Sequence, residues 1–247
     1  MMNCGTGSGA CVPAGPHAEH GGPTHADPAS RTVHYVGDPM CSWCWGMAPA
    51  LKALADRCVQ HGIGFSVTVG GLRPGGGDAW SPGFRAFLRR EWEHVQRVTG
   101  QPFGFTLLDR ASFNYDTEPA CRAVVVMANL LTGREQRGLE LLAFFSSIQR
   151  RFYVEGADPG DVEFYRDICP PAGVTYEAFR VEFSSERSAE MTTQQFERCR
   201  RWGVRAFPSV LLDDSRTISL LASGYMDSDS MLALLDTRMG GPASLSG

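Results

Sequence analysis

The sequence predicts an α/β protein in which one sheet domain is interrupted by an all-helical domain. Three observations carry that expectation. A strand–helix–strand pattern occupies residues 32–72, helical periodicity dominates residues 80–203, and strand character returns at 207–224 before a final helix. Parallel strands joined by a helix imply a right-handed crossover. The expected boundaries are a sheet domain from 32–79 and 204–240, with the helical insertion at 80–203.

The first strand is 32-TVHYVGD-38, a β-favouring run closed by Gly, Asp and Pro. In 41-CSWCWGMAPALKALADRCVQ-60, Met47, Leu51, Leu54, Ala55 and Cys58 recur at helical spacing. Pro49 lies inside that helix and is expected to kink it by displacing the carbonyl of Trp45. The second strand is 63-IGFSVTVGGL-72. Helices follow near 82–98, 118–132, 135–153, 161–168, 175–184 and 187–201. The 118–132 helix starts at 116-DTEP-119, with Asp or Thr as cap and Pro in the first turn. Strands 207-FPSVLLDD-214 and 217-TISLLASG-224 flank a turn at Asp213, Asp214 and Ser215. The last helix, 228–239, takes Ser228 or Asp229 as its cap and ends at Gly240 and Gly241.

Outside this frame, residues 1–31 are rich in Gly, Pro and His and read as a disordered tail, as do residues 241–247. Cys4, Cys11, His17, His20 and His25 fall in the first tail at spacings that match no standard zinc pattern.

The chain has 247 residues and a formal net charge of −4, with 27 acidic against 23 basic side chains. Its arginine clusters are dispersed. These features argue against nucleic acid and against an anionic membrane surface as partners. The longest apolar run, 123-AVVVMANLL-131, is half of what a membrane span needs and reads as a buried helix. The first basic residue is Arg31, with no apolar stretch before it, so no signal peptide is expected and a cytoplasmic location follows.

Chemistry concentrates in 38-DPMCSWCWG-46. Structural zinc needs four ligands, and no second CxxC exists. A disulfide closing so short a loop removes little entropy from the unfolded chain, so stability is a poor reason for it. A working dithiol fits better. Cys41 falls at a helix N-terminus, where free N–H groups favour a thiolate, and Cys44 lies one turn further in. Cys41 would attack, form a mixed disulfide, and be released by Cys44. A CxxC beside a βαβ pattern is a thioredoxin-like signal. In 203-GVRAFPSVLL-212, Pro208 stands at the start of a strand, where proline is tolerated. Of the remaining cysteines, Cys58 and Cys121 read as core thiols. Cys169 and Cys199 read the same way, with a second redox pair as the alternative.

On 38-DPMCSWCWG-46, 70-GGLRPG-75, 114-NYDTEPACRAV-124 and 203-GVRAFPS-209, the chain resembles the DsbA-like thioredoxin superfamily. The group it resembles within that superfamily is the FrnE-type protein-disulfide isomerases. The resemblance spans roughly residues 32–240. It implies a thioredoxin-like fold with an inserted all-helical domain, and thiol–disulfide exchange with protein substrates. It makes Cys41 the nucleophile, Cys44 the resolving thiol and Pro208 a cis-proline facing them. Phe207, which precedes that proline, and Trp43 are then substrate-binding residues. It also implies no cofactor beyond the Cys41–Cys44 disulfide, which a thioredoxin- or glutathione-type system would recycle.

Related enzymes often carry a buried carboxylate six residues before the first cysteine. Tyr35 stands there in this chain, leaving His34 and Glu118 as candidate proton acceptors. Trp43 between the cysteines supplies no charge, so helix position alone should activate Cys41, and the couple should be less oxidising than the strongest members. Trp43 and Trp45 offer an apolar platform, the alternative being that they pack against the insertion. The competing function is a glutathione-dependent kappa-type transferase or hydroxychromene-carboxylate-type isomerase. Those proteins share the layout but usually carry Ser at the position of Cys41.

Overall fold

The computed structural model describes residues 31–240. The expected tails and the Cys4, Cys11, His17, His20 and His25 cluster lie outside the described residues. β1 (Thr32–Gly37) pairs in parallel with β2 (Gly64–Val69) and antiparallel with β3 (Ser209–Asp213), which pairs antiparallel with β4 (Ile218–Ser223). The strand order is β2-β1-β3-β4. Between β2 and β3 run α3 (Pro82–Thr99), α4 (Glu118–Leu130), α5 (Arg137–Tyr153), α6 (Tyr176–Phe183) and α7 (Glu186–Arg201). This is the thioredoxin-like α/β fold with a helical insertion that the sequence predicts.

The helix expected at 41–60 is two helices, α1 (Ser42–Gly46) and α2 (Ala48–Gln60), broken at Met47. Pro49 cannot donate to the carbonyl four residues back. That carbonyl, Trp45 O, instead accepts from a backbone N–H at the end of α1 and from the Gln101 side-chain amide of the insertion, the latter at 2.9 Å. The 161–168 stretch forms only a 3₁₀ turn, Val162–Tyr165. The final helix, α8 (Ser228–Arg238), is capped by Asp227, not Ser228 or Asp229; the Asp227 carboxylate accepts from the Ser230 N–H at 2.9 Å. In the β3–β4 turn, Asp214 Oδ1 accepts from the Arg216 and Thr217 N–H groups while Ser215 takes a left-handed φ of 67°.

Alternation along β1 assigns its faces. Val33 and Tyr35 join the main core, whereas Val36 joins Leu211 and Cys199 beneath Trp202. The main core is continuous from the sheet into the insertion. Its aromatic centre is Trp92 of α3, which meets Tyr153 at 5.1 Å, Phe103 at 5.8 Å and Phe152 at 5.9 Å. Such edge and tilted contacts add to area burial, so the insertion is bound to the sheet by shared packing. No helix among the described residues is long and apolar enough to cross a membrane.

Candidate active site

Cys41 is the N-cap of α1 and its backbone is extended, with φ −88° and ψ 118°. Its Sγ makes no capping bond and lies 3.7 Å from the Phe207 carbonyl oxygen. The Phe207–Pro208 peptide is cis. Cys41 keeps 6% of its surface exposed, whereas Cys44 has none. Both thiols are free. Burial, then the neighbouring Cys41, push the Cys44 thiol well above its ordinary value.

The four stretches that carry the family resemblance converge here. Gly70 N–H donates to the Gly37 carbonyl at 2.9 Å. A Cβ at Gly70 would overlap the Phe207 ring, so glycine is required for close approach. Arg73 N–H donates to Thr117 Oγ1 at 3.0 Å, and Gly75 N–H to Asp116 Oδ1 at 2.7 Å. The 70s loop and the start of α4 are thereby tied together behind the dithiol.

Tyr35 is fully buried, with its ring at 5.5 Å from Phe145 in an edge contact. Its hydroxyl and Cys44 Sγ both face the Cα of Gly37. Burial and then the Cys44 charge push this phenol well above its usual range, so it stays protonated. A phenol therefore occupies the place the resemblance assigns to a carboxylate.

Trp43 is half-buried between His94 of α3, at 5.6 Å, and Tyr225 of the β4–α8 connection, at 5.8 Å. Trp45 is buried under the insertion, donating from Nε1 to Pro102 O at 2.9 Å. Trp45 therefore packs, while Trp43 and the half-buried Phe207 remain at the surface beside Cys41.

Of the candidate proton acceptors, His34 points to the sheet face opposite Tyr35. Its Nδ1 is 2.6 Å from Ser66 Oγ, its Nε2 is 3.5 Å from Asp213, and its ring lies 4.9 Å from Trp202. Glu118 pairs with Arg122 one turn along α4, at 3.2 Å. Cys169 and Cys199 are also apart. Cys199 Sγ donates to Val69 O at 3.3 Å in the small cluster, while Cys169 belongs to the main core.

His34 sets a pH dependence of stability. Burial lowers its pKa from 6.5, outweighing the opposing pull of Asp213; Arg198 adds a smaller lowering effect. Below about pH 6.5 the unfolded chain binds the proton first, so stability is full above that pH and falls as pH drops through it. Urea midpoints at pH 7.5 and 5.5 should separate for the native chain and move closer together for His34→Gln. Equal separation in both would remove His34 as the cause.

One residue of the site was not singled out from the sequence. Asp38 is wholly buried, and its carboxylate lies where three of the four stretches meet. An aspartate three residues before Cys41 was visible, but it reads as an ordinary turn residue beside Pro39.

No family model and no curated protein sequence matches the chain. Solved structures do. A "putative protein disulfide isomerase" from Nitrosomonas europaea is 30% identical, with a TM-score of 0.74 over 85% of this chain and 98% of that one. The cytosolic disulfide reductase DsbM from Pseudomonas aeruginosa is 26% identical, with a TM-score of 0.66 over 85% and 98%. The same protein with GSH gives 26% and 0.63 over 85% and 99%. A 2-hydroxychromene-2-carboxylate isomerase, at 16% identity, TM-score 0.55 and coverage of 85% and 94%, shares the fold alone. With that identity and coverage to the Nitrosomonas protein, the chain belongs to the DsbA-like thioredoxin superfamily.

Proposed function

We propose that this protein is a thiol–disulfide oxidoreductase acting on protein substrates, with Cys41 as nucleophile and Cys44 as resolving thiol. The observation that carries this reading is the asymmetry of the pair. Cys41 keeps a small exposed surface at a helix start beside the Phe207 carbonyl, and Cys44 lies one turn further in with none. The disulfide isomerase and disulfide reductase neighbours support the same class.

The exchange balances as follows. The Cys41 thiolate attacks one sulfur of a substrate disulfide, and the other sulfur leaves as thiolate and takes a proton. Cys44 then loses its proton and attacks Cys41 Sγ, releasing the second substrate thiol. The substrate gains two electrons, and the protein holds a Cys41–Cys44 disulfide. The reverse sequence oxidises a dithiol substrate. Trp43 and Phe207 present apolar surface beside Cys41 to an extended peptide.

A thioredoxin- or glutathione-type thiol closes the cycle. The structure of the cytosolic disulfide reductase DsbM with GSH favours glutathione for that step, in a reducing compartment such as the cytosol. This also keeps the glutathione-linked small-molecule reading in view, with the second cysteine as the feature that favours protein exchange. Redox equilibration in glutathione buffers, read by alkylation and intact mass, tests the proposal. A single two-electron transition is expected, more reducing than the about −120 mV of the strongest oxidants and absent in Cys44→Ser. If no reversible Cys41–Cys44 disulfide forms, the proposal fails.

A further inference from the structure

Asp38 links the dithiol to the rest of the site through both its backbone and its side chain. Its carbonyl accepts from the Cys41 N–H at 3.0 Å. Its carboxylate Oδ1 accepts from the Met40 N–H at 2.8 Å. Oδ2 accepts from the Leu72 N–H at 2.6 Å and from the Cys121 thiol at 3.3 Å. Two of these three partners are backbone N–H groups, which can only donate, so the shell fits an ionised carboxylate.

We infer that Asp38 is a positioning residue of the dithiol whose buried negative charge disfavours the thiolate and so draws the Cys41–Cys44 couple toward its reducing end. The inference rests on the oxidoreductase reading above. A carboxylate without a cationic partner acts strongly on nearby charges in a medium from which water is excluded. The three donors are uncharged at neutral pH.

The other groups facing the carboxylate are Tyr35 from β1, Tyr115 ahead of α4, Cys121 from α4 and Tyr153 from α5. Each is pushed above its ordinary pKa first by burial, with Asp38's charge contributing further. They are neutral at physiological pH and do not cancel the charge. Glu118 adds negative charge near Cys121. The Arg73 guanidinium is paired with Asp78 and lies over Phe84 and Tyr115. Burial lifts the Asp38 carboxyl itself, and the donors oppose that lift.

The consequence follows from what each redox state holds. A disulfide has no ionisable sulfur, whereas the dithiol gains charge as pH rises. A fixed anion therefore penalises only the reduced protein, and only where thiolate forms. A packing defect would alter the couple at every pH.

The test is the equilibrium of protein dithiol plus glutathione disulfide with protein disulfide plus two glutathiones, followed from pH 6 to 9. Two electrons and two protons leave the protein in each turnover. Asp38→Asn should match the native protein within about twofold at pH 6, then hold roughly tenfold more dithiol by pH 9. Coincident curves, or curves offset equally at every pH, would overturn the inference. A native protein with no reversible disulfide would instead defeat the oxidoreductase reading. If Asp38→Asn does not fold, the Asp38 ¹³Cγ resonance of the reduced native protein decides. It should shift as the dithiol ionises and not do so in Cys41→Ser. No such shift in the native protein, or the same shift in both, overturns the inference.

Discussion

Replacing Cys44 with alanine should leave the protein trapped with substrate covalently held on Cys41. Cys44 has no exposed surface, and burial holds its thiol well above the ordinary range. It therefore does not meet substrates from solution. Its one accessible electrophile is the sulfur of Cys41 in a mixed disulfide, reached from a neighbouring helical position. Such intramolecular attack enjoys effective molarities that no millimolar external thiol matches. Without it, release waits on a second molecule, and turnover of a disulfide-bonded peptide should fall by a factor on the order of 10² to 10³. Intact mass under non-reducing conditions should show one peptide added to Cys44→Ala and none to Cys41→Ala. Retained turnover with no adduct would remove Cys44 from the mechanism.

The same asymmetry shows what the sequence made legible. Local patterns carried the frame: β-favouring runs marked β1 and β2, helical spacing marked α2, and the CxxC stood between them. Pro49 announced the break at Met47 because its effect is local. The proton acceptor was not legible. His34 and Tyr35 are neighbours in sequence, yet the pleat sends them to opposite faces, and one residue of register decides which meets Cys44. Glu118 fell to Arg122, an i,i+4 partner readable from the chain alone. Asp38 was hidden for the opposite reason. Its decisive partners, Leu72 and Cys121, lie 34 and 83 residues away. Only the folded chain brings them beside it.

Gly37→Ala should damage the fold and the resolving step together. Gly37 ends β1 and accepts the Gly70 N–H through its carbonyl. Its φ is not left-handed, so the requirement for glycine is one of space. A Cβ there would overlap the Tyr35 hydroxyl and stand 3.1 Å from Cys44 Sγ. Neither neighbour can yield easily. Tyr35 is fully buried with its ring against Phe145, and Cys44 is locked in α1. Overpacking of this kind costs about 1–3 kcal/mol, so the denaturation midpoint should fall by a corresponding amount. The mixed disulfide of Gly37→Ala should also resolve more slowly than that of the native protein, because the added methyl presses on the attacking sulfur. Tyr35→Leu should make room. If the overlap is the cause, the double variant Gly37→Ala/Tyr35→Leu will be less destabilised than the two single effects combined. A native midpoint for Gly37→Ala would show that the Tyr35–Cys44 contact has slack. The phenol standing six residues before Cys41 would then be a loose neighbour of the resolving thiol and not its fixed wall.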